Sequence, residues 1–154
     1  MAQRPRKYWL LKSEPTSYSF TDLERDGSTD WTGVRNYQAR NSIRDDMQPG
    51  DGVLFYHSGG ESSIVGIAEI DSKPHLDETA LDPNDDHYDP KSTPENPIWM
   101  SVTVKFKKKL KQPITLADAK KIHGLEKMVL LQKGSRLSVQ PVSEAEWNVI
   151  VANK

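Results

Sequence analysis

The chain has 154 residues, 35% of them hydrophobic and 28% charged, with 21 basic and 22 acidic residues, a net charge of −1 and no cysteine. That length fits one domain, residues 1–154, with a core large enough to need no cross-links. The missing cysteine excludes disulfides, zinc fingers, iron–sulfur clusters and thiol nucleophiles and is consistent with a cytoplasmic location, and the near-neutral charge argues against an unspecific nucleic-acid coat.

Met1–Arg6 is polar and is expected to fray. Tyr8-Trp9-Leu10-Leu11-Lys12 is a short aromatic and apolar run stopped by Ser13-Glu14-Pro15, which predicts a buried first strand entering a turn. Ser19 with Asp22 three residues on, Phe20 and Leu23 on one side, and Gly27 as a stop predict a short helix. Asp30–Val34 reads as a loop. Asn36 caps a second helix to about Asp46, with Ala39, Ile43 and Met47 on its core face and Tyr37, Arg40 and Arg44 on another. Pro49-Gly50-Asp51 marks a turn, followed by a strand over Val53–His57 and its partner over Ser63–Ile70. No uninterrupted apolar run exceeds four residues, so neither a transmembrane helix nor a signal peptide is predicted.

Residues 71–97 carry eight acids and two bases, a net of −6, while the rest carries 19 bases and 14 acids, a net of +5. The stretch also holds five of the ten prolines, which rules out an ordinary helix or central strand and predicts a long structured loop. This loop is expected to restrain unspecific binding, so neutralising Asp82, Asp85 and Asp86 should strengthen binding to unmodified duplex. Beyond it, Val102, Val104 and Phe106 alternate with Lys105, Lys107 and Lys109, a strand expected to end near Lys108 and to be broken by Pro113. The lysine side reads as a protected edge strand rather than a docking site. Short helices are predicted over Thr115–Ile122 and Glu126–Lys133, the second closed by Gly134. A strand at Leu137–Val142 and a helix capped by Ser143 and Glu146, with Trp147 in the core, complete the chain.

Signatures of common enzymes are missing. There is no G-x-S-x-G elbow, Walker A loop, G-x-G-x-x-G or H-E-x-x-H sequence. Asp82–Asp86 opens like a calcium loop, but His87 replaces the required glycine. A zinc site from His57, His87 and loop carboxylates is disfavoured, and no metal or other cofactor is expected. Ser58, His57 and Glu14 or Glu61 could be drawn as a catalytic group, but neighbouring strand residues point to opposite faces.

Three segments stand out together: Trp9-Leu10-Leu11-Lys12-Ser13-Glu14-Pro15, then Trp31-Thr32-Gly33-Val34-Arg35-Asn36-Tyr37-Gln38-Ala39-Arg40-Asn41, then Gly50-Asp51-Gly52-Val53-Leu54-Phe55-Tyr56-His57-Ser58. Asp89-Pro90-Lys91-Ser92 and Arg136-Leu137-Ser138-Val139-Gln140-Pro141 follow. In order and spacing these resemble the EVE domain family over nearly the whole chain. The resemblance implies an α+β fold, a PUA-like mixed β-barrel of five or six strands decorated by short helices. It also implies a non-catalytic reader of a modified base, a modified cytosine in DNA first and modified RNA second.

Such a reader needs flat walls, polar groups for the base edge and cations for flanking phosphates. The candidate base pocket is Trp9, Ser13, Glu14, Trp31, Val34, Asn36, Tyr37, Tyr56, His57, Ser58 and Trp99, and the candidate phosphate contacts are Lys12, Arg35, Arg40, Arg44 and Lys91. The partner expected is a nucleic acid carrying a modified base, bound by a monomer away from any membrane. The alternatives are a hydrolase or glycosylase using Glu14 or His57 as base, and a small-ligand or RNA-binding module.

Overall fold

The structure, a computed structural model, describes residues 5–59, 62–132 and 137–152. Its strands are β1 (Tyr8–Ser13), β2 (Ser28–Asp30), β3 (Gly52–His57), β4 (Ser63–Ile70), β5 (His75–Leu76), β6 (Met100–Ser101), β7 (Thr103–Thr115) and β8 (Val139–Val142). The α-helices are α1 (Phe20–Asp26), α2 (Tyr37–Asn41), α3 (Leu116–Ala119) and α4 (Glu144–Ala152). Six strands form a curled half-barrel in the order β2-β7-β4-β3-β1-β8, and β5 pairs with β6 apart from it. Only β1 and β3 run parallel within the sheet. Bulges between Phe55 and Tyr56, and along the β4–β7 ladder, supply the bend.

Both faces of the sheet are covered, which explains why β1 and β3 are nearly continuous apolar runs. Trp9, Leu11, Val53, Phe55, Ala68 and Val104 face one core with Phe20 and Leu23 of α1 and Ala39 and Ile43 of the second helical segment. Leu10, Leu54, Tyr56, Ile67, Leu110 and Val142 face another with Leu125, Met128, Trp147 and Ile150. Each fully buried aliphatic or aromatic side chain contributes roughly 1.5–3 kcal/mol. Two close approaches seat the helices. A Cβ on Gly66 would lie 2.1 Å from the Phe20 ring, so only glycine lets α1 lie on β4. At Gly52 a Cβ would lie 2.6 Å from Trp147, whose ring stacks on Tyr8 at 4.6 Å.

The caps at Ser19, Asn36 and Ser143 hold the helices predicted from them. Four expectations are corrected. The second helix passes into a π turn over Ser42–Asp46. The polar segment Ser28–Asp30 is a strand, ordered by pairing with Thr103–Lys105. β7 does not end at Lys108 or Pro113. Phe106 pairs with Ala68 and Lys108 with Ile67, so Lys107 is extra; the parity flips and Leu110 enters the second core. Pro113 falls in a second irregularity, between Lys109 opposite Gly66 and Ile114 opposite Ile64, where no ladder donor is needed. Over 126–132 the structure has a 3₁₀ turn at Val129–Leu131 in place of the helix expected over Glu126–Lys133; Lys133 and Gly134, its expected stop, lie outside the described residues, as do Glu61 and Arg136.

The acidic loop is stitched by its own aspartates. Asp77, Asp82, Asp85 and Asp89 each accept from the backbone N–H two residues on, at Thr79, Asn84, His87 and Lys91, at 2.8–3.0 Å. These are successive Asx turns, the local structure that aspartate favours. No helix among the described residues is long and apolar enough to cross a membrane.

Candidate functional site

A cleft of about 490 Å³ opens where β1 ends. Lys12 and Ser13 come from β1, Ser17 and Tyr18 from the turn after it, Thr29 and Asp30 from β2, and Trp31–Asn36 from the segment that follows; His87 and Ser138 close the rim. The Trp31 N–H donates to the Val102 carbonyl at 2.7 Å, and the indole meets the Phe55 ring edge-on at 5.5 Å and 90°. This wall is therefore fixed from behind. Val34, buried beside it, also lines the cleft.

Gly33 has φ +83°, and a Cβ there would lie 2.9 Å from His87 Nε2. The imidazole lies against that bare backbone, with Nδ1 3.1 Å from Asp85 Oδ1. Under this segment sits Asp77, fully buried. Its Oδ2 accepts from the Gly33 N–H at 2.8 Å and Arg35 Nη1 at 2.9 Å, and its Oδ1 from the Thr79 N–H at 2.9 Å and hydroxyl at 2.6 Å. Burial pushes this carboxyl up, but the bonds from Thr79, Gly33 and Arg35 outweigh it and hold its pKa below the usual value.

Arg35 makes five donor contacts: Nε and Nη2 to the His87 carbonyl, Nη1 to the Val34 carbonyl and Asp77, and Nη2 to Thr79 Oγ1. A guanidinium has five N–H groups, so Arg35 is saturated. It clamps the acidic loop to the cleft instead of offering a hand to a phosphate. Lys12 is the opposite case. Its ammonium lies 5.8 Å from the Tyr56 ring centre, and burial lowers its pKa with no carboxylate in ion-pair reach among the described residues. Asn36 Oδ1 accepts from the Ala39 N–H at 3.0 Å as the α2 cap, and the Ser13 hydroxyl donates to the Tyr18 carbonyl at 2.6 Å.

The other candidates lie outside the cleft lining. Trp9 is buried with Nε1 on Asp51 at 3.0 Å and borders a separate dent of about 380 Å³. Tyr56 belongs to the second core. His57 Nε2 accepts from the Phe20 N–H at 3.0 Å, capping α1, and burial lowers its pKa. The carbonyl of Glu14 accepts from Ser17 and Tyr18, and the Ser58 N–H donates to the Ser13 carbonyl. Trp99 is buried with Nε1 on Asp89 at 2.7 Å, and Tyr37 lies tilted against it from outside. Arg40 reaches the Ile98 carbonyl at 2.6 Å, Arg44 makes two bonds to Asp45, and Lys91 is exposed on the loop. His57 and His87 thus hold different partners, and no cluster of three metal-ligating side chains occurs among the described residues.

Sequence reasoning missed His87, Thr29, Asp30, Ser17, Tyr18 and Ser138 as lining. The signal for His87 was the Asp85-x-His87 spacing of an Asx turn next to an invitingly bare Gly33.

A six-stranded half-barrel decorated by short helices, with a polar cleft at the end of its first strand, is the architecture of this α+β domain. The chain belongs to the EVE domain family, whose profile matches residues 7–153. Human thymocyte nuclear protein 1 is 38% identical over 94% of this chain and 72% of its own length. A protein from Pseudomonas syringae has a structure with TM-score 0.90 at 45% identity, covering 95% of this chain and 98% of its own. The human THYN1 protein, solved in complex with 5-methylcytosine containing DNA, superposes with TM-score 0.88 at 36% identity, covering 96% of each chain.

Proposed function

We propose that the cleft takes one nucleobase turned out of a strand, that the target is a modified cytosine in DNA, and that the chain binds it without bond chemistry. The observation that carries this reading is Lys12, a desolvated cation without a carboxylate partner among the described residues, set beside the fixed wall of Trp31. A half-buried charge without a carboxylate partner favours a ligand that supplies the acceptor. Cytosine offers a ring nitrogen and a carbonyl as acceptors and an exocyclic amine as donor. Lys12 suits the first two, and Asp30, a cleft residue whose Oδ1 accepts from the Thr103 hydroxyl at 2.9 Å, has a second carboxylate oxygen for the amine. The cleft volume lies within the roughly 300–1,000 Å³ of small-ligand sites. The complex of the human relative with 5-methylcytosine containing DNA supports DNA as the partner class. A role for His57 as general base finds no support, since its Nε2 is spent on the Phe20 N–H.

Binding of short DNA and RNA oligomers with 5-methylcytosine, other 5-substituted cytosines or plain cytosine tests the reading, with Lys12→Met as the variant. A preference for a modified DNA oligomer is expected, and the affinity should fall by about 10- to 150-fold in Lys12→Met, the worth of a charged hydrogen bond. Equal affinity for plain and modified oligomers, or no effect of Lys12→Met, contradicts it.

A further inference from the structure

Among the described residues, two large apolar side chains are exposed: Tyr37 at 58% and Tyr88 at 41%. Each is the chain neighbour of a residue that lines the cleft. Tyr37 follows Asn36 and opens α2, and Tyr88 follows His87, the side chain that lies against Gly33. Arg35 ties the two together. Its guanidinium donates to the His87 carbonyl at 2.7 and 3.1 Å and lies 5.3 Å from the centre of the Trp99 ring. Against that same ring Tyr37 lies tilted, at 4.9 Å and 32°.

A single exposed tyrosine is ordinary. The backing of Tyr37 is not. Trp99 is buried, and its Nε1–H is fixed by Asp89 Oδ2 at 2.7 Å. The Arg40 guanidinium lies 5.1 Å from the Tyr37 ring centre and is itself fixed on the Ile98 carbonyl. The phenol is thus held in place by two anchored groups, Trp99 and Arg40, while more than half of the residue stays open to solvent. A flat ring ordered before binding loses little entropy when something stacks on it. The Arg40 guanidinium beside it gives this side of the ring a charge that a phosphate-bearing strand complements.

We infer that Tyr37, seated on Trp99, is a stacking platform for the nucleotide next to the one in the cleft, with Tyr88 as the second ring of the same rim. This rests on the cleft holding an extruded base, and it adds a contact outside the cleft: the base next to the bound one, unstacked by the extrusion, lies on the Tyr37 ring. Extrusion strips a π-face from each neighbouring base, and the exposed ring covers one.

The test compares affinities for a short single-stranded DNA oligomer with a central 5-methyldeoxycytidine and for 5-methyldeoxycytidine itself. Tyr37→Ala should weaken oligomer binding by about 5- to 150-fold, the range for one base–aromatic stack, and leave nucleoside binding within about twofold. Tyr37→Phe should restore the oligomer affinity, because the ring and not the hydroxyl acts, and Tyr88→Ala should give a smaller loss of the same sign. Urea unfolding of each variant confirms that it is folded. An oligomer affinity unchanged in Tyr37→Ala, or an equal loss for oligomer and nucleoside, overturns the inference. Failure of the cleft reading is seen separately, as nucleoside binding indifferent to Lys12→Met.

Discussion

Replacing Asp77 by asparagine keeps the side-chain shape and removes the charge on which the cleft segment is hung. The carboxylate accepts four bonds, two on each oxygen. An amide can serve one pair through its oxygen, but its NH₂ must then face the other pair of donors. The cheaper orientation turns the NH₂ toward Thr79, whose hydroxyl can rotate and accept, leaving the Thr79 N–H unpaired. The bond from Arg35 survives but loses its ionic part. An unpaired buried donor costs about 1–3 kcal/mol. The lost charge adds less than the 3–5 kcal/mol of a fully buried pair, because the Arg35 side chain is 22% exposed and water screens it. The expected destabilisation is about 2–4 kcal/mol in urea unfolding at neutral pH. A second readout follows from linkage. The folded pKa of Asp77 lies below its ordinary 3.8, so its contribution is complete above 3.8 and is lost as pH falls through the folded value. The wild type and Asp77→Asn should therefore converge in stability as the solution is acidified past that range. A loss under about 0.5 kcal/mol at neutral pH, or a gap between the two proteins that persists in acid, refutes the assignment of Asp77 as the clamp.

His57 accepts from the Phe20 N–H, and burial holds its pKa below 6.5; the unfolded chain therefore takes up its proton first, and stability should fall as pH drops from 6.5 toward the folded value. His57→Gln, which can accept without titrating, should flatten that decline in urea midpoints, and an unchanged slope counts against the cap. Gly66→Ala should cost more than about 2 kcal/mol through the clash with Phe20, and Phe20→Leu in the same chain should recover part of it; full stability of the single variant contradicts the packing. Lys12→Met removes a desolvated charge and should leave thermal stability equal or higher while binding is lost; a large drop in Tm would mean that Lys12 holds the fold.

Local chemistry made much of the fold legible. Ser19 with Asp22 and Ser143 with Glu146 announce capping boxes, and Ala39, Ile43 and Met47 announce a buried face, because these depend on neighbours within one turn. What stayed hidden depends on distant pairing. Ser28–Asp30 carries no apolar alternation and is a strand only because β7 lies beside it. The bulge at Lys107 sends Leu110 and Ile114 to the second core while the lysines around it stay exposed, so strict alternation misplaces the apolar residues after it. The same limit applies to the site. Lys12, Ser13, Trp31, Val34 and Asn36 come together because they sit at one strand end and in one loop. Trp9 and Tyr56 are aromatic and on strands, yet a sheet buried on both faces takes such residues into its cores, and Trp99 is buried under Tyr37 and Arg35. The acidic run reads as a charge feature in sequence, and in space it is a row of Asx turns that brings His87 to the rim.

The central claim is that one base enters beside Trp31 and Lys12. It is tested most directly by titrating the ¹⁵N-labelled protein with 5-methyldeoxycytidine and with deoxycytidine. The account predicts saturable shifts of the Trp31 indole and Gly33 amide signals, with tighter binding of the methylated nucleoside. Identical binding curves for the two nucleosides, or shifts confined to the dent beside Trp9, would contradict it.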